Sequence, residues 1–158
     1  RGGGVKFSGG TYSCHPASLL AAKTMMGWLA EHEAEVYPRI NELGAKARRA
    51  VEAALRAEGL FARCTGDPND AVPGSSMGAV HFPLDQATAC ATPEETRNPE
   101  LCDVELSDTV LQLALLLEDV HVMHGLGSVS AAHTEADIER LAEATGNAAR
   151  RIRPLLES

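Results

Sequence analysis

The sequence predicts an α+β fold, a small and mostly antiparallel sheet covered by helices, and three observations carry that expectation. Apolar residues recur at helical spacing in four separated stretches. Short runs suited to strands fall between those stretches. The resulting order, helix, helix, hairpin, helix, two strands, helix, lacks the regular strand and helix alternation of a parallel α/β sheet.

Each element has a local reason. RGGGVKFSGGTYSCH, the first fifteen residues, is rich in Gly and hydroxyl residues without sustained periodicity, so it reads as irregular backbone with one short strand at Val5–Phe7. Pro16 suits the first position of a helix, where its missing N–H is no loss, and Leu19, Ala22, Met26 and Leu29 continue at helical spacing over about Ala17 to His32. A second helix is expected from Val36 or Pro38, with Ile40, Leu43, Ala47, Ala50 or Val51, Ala54 and Leu55 on one face and Arg48, Arg49, Glu52 and Arg56 on a solvated face. Gly59 ends it as a left-handed cap. Leu60–Thr65 and Met77–Phe82 read as a hairpin joined by the turn-rich GDPNDAVPGSS.

Residues 83–103 show no clean period and contain further prolines, which predicts an irregular surface insertion or mobile loop. Ser107 is the expected cap of a third helix whose apolar set is Val110, Leu111, Ala114 and Leu117. Val120–Met123 and Ser128–Ala131 then read as two strands about the turn His124-Gly125-Leu126-Gly127. Thr134-Glu135-Ala136-Asp137 resembles a capping box opening the last helix, along which Ile138, Leu141, Thr145, Ala148, Ile152 and Leu155 form one face.

Composition narrows the function. A chain of 158 residues with 44% hydrophobic and 23% charged residues has the make-up of one globular domain able to bury a core without a metal or disulfide. The net charge of −8 argues against a nucleic-acid partner, because phosphodiester backbones repel an acidic surface. The longest apolar run, Leu113 to Leu117, is far shorter than a membrane span, so no membrane partner and a cytoplasmic address are expected. Cys14, Cys64, Cys90 and Cys102 are widely spaced with no CxxC and are expected as reduced thiols. The chain opens on Arg1 inside a Gly-rich run, which reads as a fragment of something longer.

Few residues suggest chemistry by themselves. Gly9-Gly10-Thr11-Tyr12-Ser13 precedes a helix start, where backbone N–H groups and the helix dipole favour an anion such as phosphate; a plain loop is the competing reading. Cys14-His15 has the composition of a nucleophile and base, but sequence neighbours seldom face one another, and His15 reads more simply as the residue entering the helix. His121, His124 and His133 lack the ligand spacing of a zinc site, and no metal is expected. Met25, Met26 and Trp28 read as core.

Two separated stretches carry a family resemblance. Ser8-Gly9-Gly10-Thr11-Tyr12-Ser13-Cys14-His15-Pro16 through Ala22 resembles the G-T-x-S-x-N/H-P-x-x-x-A-A element of class III, fold-type I, pyridoxal-phosphate aminotransferases. Gly127 through Ile138 is similar to the S-x-A-H-T-E-x-D-I ending of their glutamate-1-semialdehyde 2,1-aminomutase branch. The resemblance covers nearly the whole chain, with 83–103 the poorest match. It implies that residues 1–15 end the cofactor loop of a large domain, that 16–35 form a bridging helix, and that 36–158 form the small α+β C-terminal domain of a fold-type I aminotransferase.

The resemblance also implies a homodimer in which Thr11, with Gly10 beside it, binds the phosphate of the neighbouring subunit's pyridoxal phosphate. The Schiff-base lysine, the Asp on the pyridinium nitrogen and the stacking aromatic would all precede Arg1, so no catalytic residue is expected in this chain and the chain alone should be inactive. Gly125–Ala132 contains no Arg for a substrate carboxylate, which favours the aminomutase-like branch over ornithine-type enzymes. The aminomutase's glutamate-bearing loop is absent from His124-Gly125-Leu126-Gly127, so the substrate is given only as a small amino acid or carbonyl compound. The alternative is a free-standing, non-catalytic α+β dimerisation module.

Overall fold

The structure, a computed structural model, describes residues 15–65, 75–122 and 127–156. It is α+β: helices dominate, and the strands form two separate two-stranded antiparallel sheets in place of the one small sheet expected. The chain divides into two compact units, Arg1–Val36 and Tyr37–Ser158. The expected strand at Val5–Phe7 lies outside the described residues.

Helix α1 spans Pro16–Ala57, so the break expected between His32 and Pro38 does not occur. Pro38 removes one backbone donor, and an exposed surface lets water satisfy the carbonyl that loses its partner. His15 enters this helix as expected: its Nδ1 accepts the Ser18 N–H at 3.3 Å and lies 3.1 Å from Ser18 Oγ, the work of an N-cap. Gly59, at φ +83°, ends α1 in the left-handed conformation that its missing Cβ permits.

In the unit Tyr37–Ser158 the predicted hairpin pairing is present. Strand β1 (Arg63–Cys64) pairs antiparallel with β3 (Val80–His81) in the register Arg63 to His81 and Cys64 to Val80, and Thr65 N–H extends the ladder to Ala79 O at 2.9 Å. The second expected pairing is corrected. Val120–Val122 forms no strand, and β4 (Gly127–Ser128) pairs instead with β2 (Met77–Gly78). Val120 folds back, donating its N–H to Leu115 O at 3.0 Å, while Val120 and Val122 pack on the core; the open edge of Met77–Gly78 takes the later segment.

The segment 83–103 is irregular and largely exposed, as expected, and its two ends are held together by backbone bonds. Leu84 N–H donates to Leu101 O and Asp103 N–H to Phe82 O, both at 2.8 Å, with Pro83 and Cys102 bridged between them. Inside lies a single turn, α2 (Pro93–Thr96), with a complete capping box between Thr92 and Glu95. Apolar periodicity could not signal this segment, since it buries two thiols, Cys90 and Cys102, rather than a helical or strand face.

The third helix begins earlier than Ser107. Asp103 caps it through Oδ1, which accepts the Leu106 N–H at 2.9 Å, and a π-helical turn, Leu106–Val110, leads into α3 (Leu111–Leu116). Ser107 is buried inside the helix and donates to Asp103 O, while Leu117 sits exposed at the end. Helix α4 (Glu135–Leu156) packs on α3, and Ala144, Ala148 and Ala149, all 0% exposed, allow their close approach. The main core joins Val51 and Leu55 of α1, Val80 and Phe82, Leu111 and Leu115 of α3, and Ile152 of α4.

Candidate functional site

Gly10 and Thr11, the expected phosphate-binding pair, lie outside the described residues, as does Cys14. The second motif is described, and it borders a cleft of about 260 Å³ within the unit Tyr37–Ser158. Its walls come from Gly44, Ala47 and Arg48 of α1, the β2 and β4 pair, His121, His133 and the first turns of α4.

Arg48 organises one wall. It is 5% exposed, and its Nη1 donates to Ser75 O at 2.5 Å and Met77 O at 2.8 Å. The sequence reading placed Arg48 on a solvated face; its position three and seven residues before Val51 and Leu55, on the apolar stripe itself, is the signal that could have revealed it. Gly44 one turn earlier is required by close approach, because a Cβ there would lie 2.5 Å from Ser75 O and 2.8 Å from Ser76 Cα. The small residue and the buried guanidinium together hold the segment 75–78, which contains β2, against the helix.

The opposite wall is a hydrogen-bonded cluster built from the motif. His133 Nδ1 accepts the Ser130 N–H at 3.0 Å, which leaves the ring proton on Nε2, and Ser130 Oγ lies 3.0 Å away. Thr134 donates its N–H at 2.7 Å and its Oγ1 at 2.8 Å to Asp137 Oδ2. Those bonds, the backbone one foremost, hold the Asp137 carboxyl below the usual carboxylate range. Lys46 is paired with Glu135 at 2.5 Å and Glu42 at 3.1 Å, and the hydrogen bonds to Glu135 and then Glu42 raise its pKa. Ile138 is buried against Leu43 and Ala47.

Arg48, His133, Asp137 and Arg140 of the cleft are thus engaged with the protein itself. Arg140 contacts Glu143 at 3.1 Å and donates to Glu118 O at 2.7 Å. Such a wall can position a segment. His121 and His133 both border the cleft, while His124 lies outside the described residues. Among the described residues no group of three or more His, Cys, Asp or Glu side chains is placed to hold a metal ion.

Two further expectations are settled by exposure. Met25, Met26 and Trp28, read as core, are 58%, 64% and 47% exposed in this chain, and Trp28 stacks on His32 with ring centroids 4.3 Å apart. Cys64, Cys90 and Cys102 are free thiols, as expected, and all three are buried. No helix among the described residues is long and apolar enough to cross a membrane. Comparison with protein-family models, curated proteins and solved structures returns no match.

Proposed function

We propose that this chain is the C-terminal portion of a class III, fold-type I, pyridoxal-phosphate-dependent enzyme, an aminotransferase or a glutamate-1-semialdehyde 2,1-aminomutase-like isomerase. When complete and dimeric it moves an amino group on a small amino-acid or carbonyl substrate. The observation that carries this reading is the order of two motifs, Ser8 to Ala22 and Gly127 to Ile138, each followed by a long helix.

The cleft supports the reading by giving the second motif's residue types a physical purpose. Ser130 and His133 fix the turn after β4, Thr134 and Asp137 start α4, Glu135 pairs with Lys46, and Ile138 anchors the helix in the core. In this reading Gly10 and Thr11 hold the cofactor phosphate across the dimer. Pyridoxal phosphate, when bound, supplies the electron sink for the carbon that carries the amino group.

Neither described lysine suits the Schiff-base role. Lys46 is held as an ammonium by two carboxylates, whereas an imine-forming lysine needs a lowered pKa, and Lys23 lies on the exposed part of α1. As the resemblance implies, the lysine of the proposed enzyme belongs upstream of Arg1, and in this reading the chain by itself is inactive.

The test is to express the open reading frame that encodes this chain together with its upstream residues. The expected product is yellow, and borohydride traps a pyridoxyl-lysine on a peptide preceding Arg1, while the 158-residue chain takes up no stoichiometric adduct. A stoichiometric adduct on Lys6, Lys23 or Lys46, or a longer protein that stays colourless and transfers no amino group, overturns the reading.

A further inference from the structure

We propose that Cys90 and Cys102 are a reversible disulfide-forming pair that staples the loop 83–103, with a small carboxylate-bearing disulfide such as oxidised glutathione as oxidant. Their Sγ atoms are 3.7 Å apart and both residues are buried, at 5% and 1% exposed. From that 3.7 Å contact the sulfurs need to close by only about 1.7 Å to reach disulfide bonding distance.

The backbone prepares the pair. Cys102 sits in the neck of the loop, bridged to Pro83 between the bonds from Leu84 to Leu101 and from Asp103 to Phe82. Cys90 stands at φ +58°, a left-handed conformation that non-glycine residues adopt only where the surroundings impose it, and its side chain meets Cys102 in the interior. The remaining described thiol, Cys64, is buried and directs its Sγ to Arg48 O at 3.8 Å, whereas Cys90 and Cys102 meet each other.

A route to the pair is also present. Cys90 and Cys64, but not Cys102, line a groove of about 500 Å³ that also carries Glu52, Arg56, Phe61 and Arg63. Arg63 Nη2 donates to Gln86 O at 2.9 Å, while its buried Nε has no hydrogen-bond partner among the described residues. Two guanidinium groups against the one carboxylate of Glu52 leave the entry net positive, which favours an anionic oxidant over a neutral one. Burial, then the bond to Cys102, pushes the Cys90 thiol up to about 12, with Arg63 opposing and Glu95 assisting, so exchange at neutral pH is slow.

The chemistry balances without any further reactant. Cys90 loses its proton to water and attacks one sulfur of the oxidant; a mixed disulfide forms as the oxidant's S–S bond breaks, releasing one thiolate. Cys102 loses its proton and attacks the Cys90 sulfur, forming the internal disulfide and releasing the second thiolate. Two electrons pass from the protein thiols to the oxidant, and the chain becomes about 2 Da lighter as two hydrogens leave.

The experiment incubates the folded, reduced chain with excess oxidised glutathione at mildly alkaline pH, blocks residual thiols, and digests with trypsin and Asp-N. These enzymes cut before Asp85, which separates Cys64 from Cys90, and after Arg97, which separates Cys90 from Cys102. The expected result is a loss of about 2 Da reversed by dithiothreitol, a single linked peptide pair containing Cys90 and Cys102, and a rise in Tm of about 5 °C or more. Cys64→Ala retains the mass loss, whereas Cys90→Ser and Cys102→Ser abolish it. An unchanged mass after prolonged incubation, a link through Cys64 or Cys14, or a linked protein that melts at a lower temperature overturns the proposal. The wild-type peptide map decides even if a variant fails to fold.

Discussion

Helix α1 contains two stretches of comparable apolar content with opposite fates. Leu19, Leu20, Met25, Met26 and Trp28 are all exposed, whereas Leu43, Ala47, Val51 and Leu55 are buried at 6% or less. Helical periodicity says which residues share a face, but burial requires something to pack against. The glycines mark the same contrast: a Cβ on Gly27 would meet nothing within 4 Å, while one on Gly44 would run into the backbone of Ser75 and Ser76. An apolar run is therefore evidence for a covered face, and only the tertiary contacts name the cover.

Substitutions can break that comparison, and the largest effect is expected in the core. Leu55→Ala, at 0% exposure, should destabilise the chain by about 2–5 kcal/mol, while Leu20→Ala should stay within about 0.5 kcal/mol, as read by urea unfolding. Equal effects would mean that the exposed stretch is covered in solution. Next in size, Arg48→Met should be destabilising by about 3 kcal/mol, because the Ser75 and Met77 carbonyls lose a charged donor in a buried place. A near-neutral result would show that water replaces the guanidinium.

Gly44→Ala should be destabilising by about 1–3 kcal/mol through overpacking against backbone, whereas Gly27→Ala should stabilise by about 0.5–1 kcal/mol by restricting the unfolded chain. Opposite signs in thermal melts would sharpen the contrast between the two stretches. The smallest effect is electrostatic. Glu118 accepts from Arg151 Nε and Asn147 Nδ2, both at 2.8 Å, and those bonds lower its pKa. A carboxyl depressed in the folded state contributes stability above its ordinary value, lost as pH falls through the folded value. Glu118→Gln should therefore flatten the decline in stability below about pH 4.5, measured as Tm against pH, and leave the slope near neutrality unchanged.

Much of the helical architecture was legible because periodicity and caps are local. Gly59 ends α1, Thr134 and Asp137 start α4, and the apolar face of α4 is buried at Ile138, Thr145, Ala148 and Ile152 as spacing implies, whereas Leu141 is only partly buried and Leu155 is exposed. The pairing of 63–64 with 80–81 followed from two strand-like runs around turn residues. The candidate site was less legible. Arg48 was assigned to solvent on residue type, whereas its place on the stripe of Val51 and Leu55 buries it. The loop 83–103 was unreadable because its order comes from a neck of backbone bonds and two thiols twelve residues apart, which have no period.

The sequence by itself determined the α+β class, both ends of α1, the start of α4 and the net acidic charge. Those properties depend on residues within a few turns of one another, or on composition alone. Only the tertiary structure decided that α1 runs through Pro38, that Met77–Gly78 pairs with Gly127–Ser128, and that Cys90 meets Cys102. Each of these is a choice among partners distant in the sequence. Such choices are made by whichever contact leaves the fewest backbone groups unpaired and the least apolar surface in water.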